Sequence, residues 1–255
     1  MQAVRADGPW RMNAPAYSIV VPAYNESARL AASLDQILDF CRRQGWDAEV
    51  VVVNDGSRDD TAGIARRYAE SDPRVRLVEN PGNRGKGYSV RHGMLEARGE
   101  VMIFSDADLS SPIDEAEKLV AAIRAGADVA IGSRWMQPEL MTERQPLRRQ
   151  FLGRLFNLLL HALLGLRFKD TQCGLKAFTR SAALALFSRQ RIERWGFDPE
   201  LLFLARRLRL RTVEVPVAWA HDDRSKIKPL LDGMKMACEV LRIRWYACSG
   251  KYQGA

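Results

Sequence analysis

Three short clusters in this chain carry side chains whose types and spacing could do chemistry. Asp106-Ala107-Asp108 directly follows the apolar run VMIFS. Two carboxylates one residue apart on a turn offer hard oxygens to Mg²⁺ or Mn²⁺, cations that usually share their shell with substrate phosphates. A capped, solvated turn would use the same residues. Asn54-Asp55-Gly56-Ser57 closes a second apolar run. There Asp55 suits either a nucleobase edge or an Asx turn with a helix cap. Asn83-Arg84-Gly85-Lys86-Gly87 permits close backbone approach at its glycines and adds the Lys86 charge, as a phosphate cradle needs. It lacks the GxxxxGK[ST] spacing of a P-loop, and a plain loop is its alternative.

Each cluster needs an element to hold it. Tyr17–Tyr24, Glu49–Asn54, Val75–Glu79, Val101–Ser105 and Asp128–Gly132 read as short strands, several of them continuous Val and Ile runs. Helical spacing covers Ser27–Arg43, Thr61–Ser71, Tyr88–Ala97 and Glu115–Ala125. Strands buried on both faces and alternating with helices predict an α/β fold with a mostly parallel sheet flanked by helices. The polar clusters then fall just past strand ends, where open α/β sheets bind ligands.

The second half differs. Pro146–Leu166 reads as one apolar helix with a polar stripe of Gln150, Arg154, Asn157 and His161, suited either to core or to a membrane interface. Pro229–Tyr246 reads as a second amphipathic helix. The expected organisation is a loose tail over 1–16, one domain over 17–228 and a C-terminal helix and tail over 229–255. Residues 1–143 hold 17 basic and 22 acidic side chains, a net of −5, whereas 144–255 hold 22 and 9, a net of +13. A basic back half suggests an anionic partner surface, membrane or nucleic acid. Against nucleic acid, no binding motif appears and aromatic residues are not interleaved with the basic ones.

No apolar run reaches 18 residues, and the first 16 residues lack a signal-peptide core. The four cysteines, Cys41, Cys173, Cys238 and Cys248, form no CxxC pair. They read as reduced thiols of a cytosolic protein rather than zinc ligands.

In combination the motifs are more specific. VVPAYNE (Val20–Glu26), VVNDGSRDDT (Val52–Thr61), NRGKGYSVRHG (Asn83–Gly93), FSDADLSSP (Phe104–Pro112) and IGSRW (Ile131–Trp135) occur in order. Together they resemble glycosyltransferase family 2, with its Rossmann-like GT-A fold. The segments DTQCGLKAFTR (Asp170–Arg180), RWGFDPELL (Arg194–Leu202) and SKI (Ser225–Ile227) resemble its dolichyl-phosphate β-glucosyltransferase branch, and the likeness spans about Tyr17 to Lys228.

The resemblance implies inverting transfer of glucose from UDP-glucose to a polyprenyl phosphate. The alternatives are GDP-mannose or another UDP-sugar as donor, or a non-lipid acceptor. It implies nucleotide-sugar contacts at Pro22, Ala23, Tyr24, Glu26, Asp55, Lys86, Asp106, Ala107, Asp108, Trp195 and Lys226. Asp106 and Asp108 match the family's DxD metal motif, for Mg²⁺ or Mn²⁺. Arg134, in the GSR motif, and Arg149, with Arg148 as the near alternative, match acceptor-phosphate contacts, a task suited to the forked, permanently charged guanidinium. Asp108, Asp170 and Arg134 are the expected catalytic residues. Asp170 is open between a base and a structural partner of Lys176 or Arg180, and Trp195 between a sugar platform and core. The expected setting is peripheral, on the cytoplasmic face of a membrane with an anionic surface.

Overall fold

The computed structural model describes residues 14–137, 139, 160–220 and 229–253, with the backbone alone at 229–234. Among these residues seven strands form one sheet: β1 Tyr17–Ala23, β2 Ala48–Asn54, β3 Val75–Glu79, β4 Val101–Ser105, β5 Val129–Ser133, β6 Leu175–Thr179 and β7 Thr212–Pro216. Their order is β3-β2-β1-β4-β6-β5-β7. Only β6 runs against its neighbours, pairing antiparallel with both β4 and β5. The mostly parallel expectation therefore holds.

Alternation along the strands sends successive side chains to opposite faces. Ile19, Val21, Val50, Val52 and Ile103 face one core, closed by α1 (Leu30–Arg43), α2 (Thr61–Ser71) and α4 (Ala116–Arg124). Val20, Val51, Val53, Met102 and Phe104 face the other core. That side is covered by α3 (Lys86–Glu96), α5 (Arg180–Phe187), α6 (Phe197–Arg207) and α7 (Pro229–Cys248). All seven side chains of β2 are buried, as its continuous apolar run requires.

Three differences from the sequence reading bear on the site. First, α1 starts at Leu30 rather than Ser27, because residues 25–29 are tied down as a loop. Asn25, at φ 53°, donates its N–H to Ser57 Oγ, and the Glu26 N–H goes to Thr61 Oγ1 at 2.8 Å. Second, β6, β7, α5 and α6 emerge from a stretch in which motifs rather than elements had been legible. Third, of the expected 146–166 helix only 160–166 is described. Helical there over 160–164, it buries Leu160, Leu164 and Leu166 in the second core. Among the described residues no helix is long and apolar enough to cross a membrane.

Candidate active site

Strand order reverses beside β1, whose neighbours β2 and β4 lie on either side. The loops after these strands open at one end of the sheet, the position where doubly wound sheets bind ligands.

Asp55 follows β2 and is 3% exposed. Its carboxylate accepts from Asn80 Nδ2 at 2.8 Å and from the backbone N–H groups of Arg84 at 2.9 Å and Gly85 at 2.8 Å. Asn80 is itself braced by Ser89 and His92. Expected as a nucleoside contact, Asp55 thus spends these bonds on shaping the glycine-rich loop. Gly85 leads that loop into α3 at φ 109°, where a side chain would be strained and its Cβ would sit 2.7 Å from the Glu193 carbonyl. Gly87 is equally close to the Ile192 carbonyl.

The opposing segment, 190–196, packs along the loop as a strap. Gln190 Nε2 donates to the Gly87 and Ile192 carbonyls, Tyr88 N–H to the Glu193 carbonyl, and Arg84 pairs with the Glu193 carboxylate. From behind, Glu200 accepts the N–H groups of Arg191 and Ile192 and the Tyr252 hydroxyl, while Glu239 accepts that of Gly196.

Lys86, the first residue of α3, reaches across to Asp106 Oδ1 at 2.7 Å. Its ammonium lies 5.4 Å from the ring centres of both Phe104 and Trp195. Burial opposes the Lys86 charge, but Asp106, Asp198 and Asp108 more than offset it and hold its pKa above the ordinary lysine value. Burial lifts the Asp106 carboxyl, with Asp108 and Asp198 adding to it against the pull of Lys86. The Asp106 carboxylate lies where a Cβ on Gly174 would fall, so the absence of that side chain makes its room. Asp108 Oδ1 accepts the Ser110 N–H at 3.0 Å. Lys86 and Ser110 thus engage one oxygen of each carboxylate, Oδ1, at the mouth of β4. Among the described residues no group of three or more His, Cys, Asp or Glu forms a complete metal cage. Two carboxylates suit a cation that completes its shell with water and substrate oxygens.

Behind this pair stands one the sequence reading had not assembled. Lys176, fully buried in β6, donates to Asp198 Oδ1 and to the Cys173 carbonyl, each at 2.6 Å. The polarity of a lysine inside the apolar strand LKAFT was the available signal.

Arg134 follows β5 as expected, and its partner is Asp170, neither Lys176 nor Arg180 having that role. The guanidinium grips the carboxylate through Nε at 2.6 Å and Nη2 at 2.8 Å, while the Arg134 N–H adds a third bond. Asp170 also accepts the Gln172 N–H, and its own N–H goes to Glu214. Burial would raise the Asp170 pKa, but the Arg134 charge and hydrogen bonds overcome it and hold it low. A buried carboxylate so occupied is a poor proton acceptor, so of the two roles left open for Asp170 the geometry favours the structural one, with Arg134 as its partner. Arg134 also lies over Trp219, 5.5 Å from the ring centre, and its Nη1 has no hydrogen-bond partner among the described residues.

Of the remaining expected contacts, Pro22 and Ala23 end β1, and Tyr24 and Glu26 follow it, half-buried, with Glu26 ion-paired to Arg29. Ala107 is buried and its carbonyl accepts from Ser33. Trp195 is 38% exposed beside Lys86 and so is not a core residue. Arg148, Arg149 and Lys226 lie outside the described residues.

Comparison with known proteins bears on the family and the fold. The family model for glycosyl transferase family 2 matches residues 18–192. A dolichyl-phosphate beta-glucosyltransferase of Trichomonas vaginalis is 41% identical over 246 residues, covering 91% of this chain and 72% of the relative. Enzymes of the same name from Drosophila melanogaster (38%; 89% and 73% covered) and Saccharomyces cerevisiae (35%; 92% and 76%) are also similar. Among solved structures, glucosyl-3-phosphoglycerate synthase of Mycobacterium tuberculosis in complex with UDP superposes with a TM-score of 0.66 at 21% identity, over 92% of this chain and 80% of that one. A crystal of that enzyme with Mn²⁺, UDP and glucosyl-3-phosphoglycerate gives 0.65. At that identity the likeness is one of fold.

Proposed function

Since the chain belongs to glycosyl transferase family 2, we propose that it moves glucose from UDP-glucose to a polyprenyl, dolichyl-type phosphate with inversion. The observation that carries this reading is the 41% identity to a dolichyl-phosphate beta-glucosyltransferase across 91% of the chain. The site supports it, because a carboxylate pair, a lysine and a glycine-bounded helix start converge at one sheet end, as a nucleoside diphosphate requires.

In this reading Asp106 and Asp108 would hold Mg²⁺ or Mn²⁺, which would supply charge neutralisation on the departing diphosphate. Lys86 adds its own charge on the same side, and Asp106 orients it. The Asp55-organised loop and the strap fix Lys86 and Trp195 relative to the sugar. Arg134, aimed by Asp170, meets the acceptor phosphate, with Arg149 as the expected second contact and Lys226 on the donor side.

A phosphate oxygen then attacks the anomeric carbon as the bond to UDP breaks, turning an α-linked donor into a β-linked product. Phosphomonoesters have a second pKa of about 6, so the nucleophile is ionised at neutral pH and needs no general base. That agrees with the full occupation of Asp170. Positioning and charge complementarity supply the acceleration.

The test is transfer of radiolabel from UDP-glucose to a polyprenyl phosphate in detergent, with and without Mn²⁺. Metal-dependent label in the lipid phase is expected. UDP release with a different acceptor and no lipid label would overturn the acceptor assignment and leave the fold and donor site standing.

A further inference from the structure

A pocket of about 340 Å³ opens beside the donor-side cation, and of its lining only Trp195 has a role in the account above. It is lined by Arg194, Trp195, Lys235, Met236 and Glu239. All five lie beyond residue 192, where the family match ends, so the shared donor-binding half does not supply this wall.

Three contacts fix its place. Trp195 lies 5.4 Å from the Lys86 ammonium, which joins the pocket to the Asp106 side. Glu239, on α7, accepts the Gly196 N–H at 2.7 Å and locks the helix to the strap. Met236, one turn earlier, accepts from Gln172 Nε2 at 2.9 Å, two residues past the Asp170 that holds Arg134. The pocket is therefore walled by the strap and α7, and Met236 ties that helix to the segment carrying Asp170.

Its lining is amphiphilic. Arg194 and Lys235 are exposed cations. Trp195 and Met236 offer broad, polarisable apolar surface. Glu239 is 9% exposed; it accepts the Gly196 N–H and also feels the charges of Arg242 and Arg194, so it offsets part of the positive charge in the opening without cancelling both cations. Meanwhile Arg134 has two of its guanidinium nitrogens engaged by Asp170. A dianionic head needs more positive charge than one such guanidinium offers, and this pocket holds two cations next to apolar walls.

We propose that this pocket receives the lipid end of the acceptor: Arg194 and Lys235 hold the phosphate of a polyprenyl phosphate, and Trp195 and Met236 line the path of its first isoprene units. The proposal rests on the lipid-phosphate reading above and adds the residues that would select for it.

The probe is farnesyl phosphate, short enough to study in solution, with inorganic phosphate and farnesol as partial ligands. Calorimetry on the full chain should show farnesyl phosphate binding at least about tenfold tighter than either fragment, since only it uses both cations and apolar walls. The double variant Arg194→Glu/Lys235→Glu should weaken that binding about tenfold or more, Lys235→Arg should retain it, and Arg244→Glu, away from this pocket on α7, should leave it unchanged. In turnover the double variant should raise the acceptor KM about tenfold with the UDP-glucose KM within about twofold. Both sites are exposed, and an unchanged Tm confirms a folded variant. A rise in the donor KM alone, or farnesyl phosphate binding no tighter than inorganic phosphate, would overturn the proposal. If the wild type transfers no sugar to lipid phosphate yet binds farnesyl phosphate through these two residues, the acceptor reading fails and the pocket assignment stands. Absence of binding removes the pocket assignment while transfer decides the other.

Discussion

At the scale of single residues, the two sites built around carboxylates behave oppositely. Asp108 is half-buried at a strand mouth, and its structural work is one hydrogen bond to the Ser110 N–H. Asn at this position keeps that bond and loses the charge. Asp108→Asn should therefore leave the Tm within a degree or two while lowering kcat by about 10²–10³-fold, the scale of losing one key charge-stabilising group. Near-normal turnover would remove the metal assignment. Asp170 is the reverse case, buried and gripping a partly buried Arg134. Asp170→Asn strands that guanidinium and should cost about 3–5 kcal/mol in urea titrations, with activity lost alongside stability. The pH dependence follows from the depressed pKa. Asp170 stabilises the fold fully above the ordinary carboxylate value of 3.8, and the contribution disappears as pH falls through its lowered folded value. Acid unfolding of the wild type should thus be steeper than that of Asp170→Asn, read from denaturation midpoints at pH 2–5.

At the scale of elements, the strap over residues 190–196 links the glycine-rich loop to the C-terminal helix. Gly85→Ala would force a Cβ into the Glu193 carbonyl at φ 109°. It should cost about 1–3 kcal/mol and raise the UDP-glucose KM, because Lys86 is the next residue. Behind the strap, burial pushes the Glu200 carboxyl up to about 7, despite three accepted hydrogen bonds that favour its charge. A carboxyl raised above its unfolded value of 4.5 stabilises most when protonated. Stability should therefore fall by roughly 3 kcal/mol as pH rises from about 4.5 to 7 and level off above that. In Glu200→Gln the slope should vanish, measured as the pH 5 against pH 8 difference in urea midpoint. A slope equal to the wild type's would assign it to other groups. Elements also mark the limit of what the sequence discloses. β3, at the sheet edge, shows only as the short segment VRLVE, while β1, β2, β4 and β5 are legible because they are largely buried and read as mainly apolar runs. β6 is not, because Lys176 interrupts it, and the partner that makes a buried lysine tolerable, Asp198, is 22 residues away on α6. β7, at the sheet edge and half-buried throughout, carries Glu214 and Pro216 and lacks the core signature.

At the scale of the whole molecule, the donor half of the site is legible in sequence order, because each motif sits at the end of its own strand. The proposed acceptor half joins segments 36 to 64 residues apart, Arg134 with Asp170 and Gln172 with Met236, and only folding brings them together. The charge split is legible too, and α7 gives it a surface. Leu241 and Trp245 stand 56% and 57% exposed on one side of that helix, with Arg242, Arg244 and Lys251 around them and the Lys251 ammonium 4.3 Å from the Trp245 ring centre. Val240 and Ile243 on the other side are fully buried, so the exposed pair is presented by a fixed helix rather than a loose tail. Such a face, aromatic and aliphatic within a basic ring, suits an anionic membrane surface, where each cation contributes on the order of 1 kcal/mol. The chain should sediment with phosphatidylserine vesicles and not with phosphatidylcholine ones. Binding should weaken steeply as salt rises from about 0.05 to 0.5 M, since the screening length shrinks across that range. Trp245 fluorescence should shift to the blue on binding, and Leu241→Glu/Trp245→Glu should abolish sedimentation while leaving transfer to a detergent-dispersed acceptor intact. Because the same helix carries Glu239 into the strap, vesicle binding should also protect the Gly196 amide from hydrogen exchange. Sedimentation unaffected by the double variant would place the membrane contact elsewhere on the basic half.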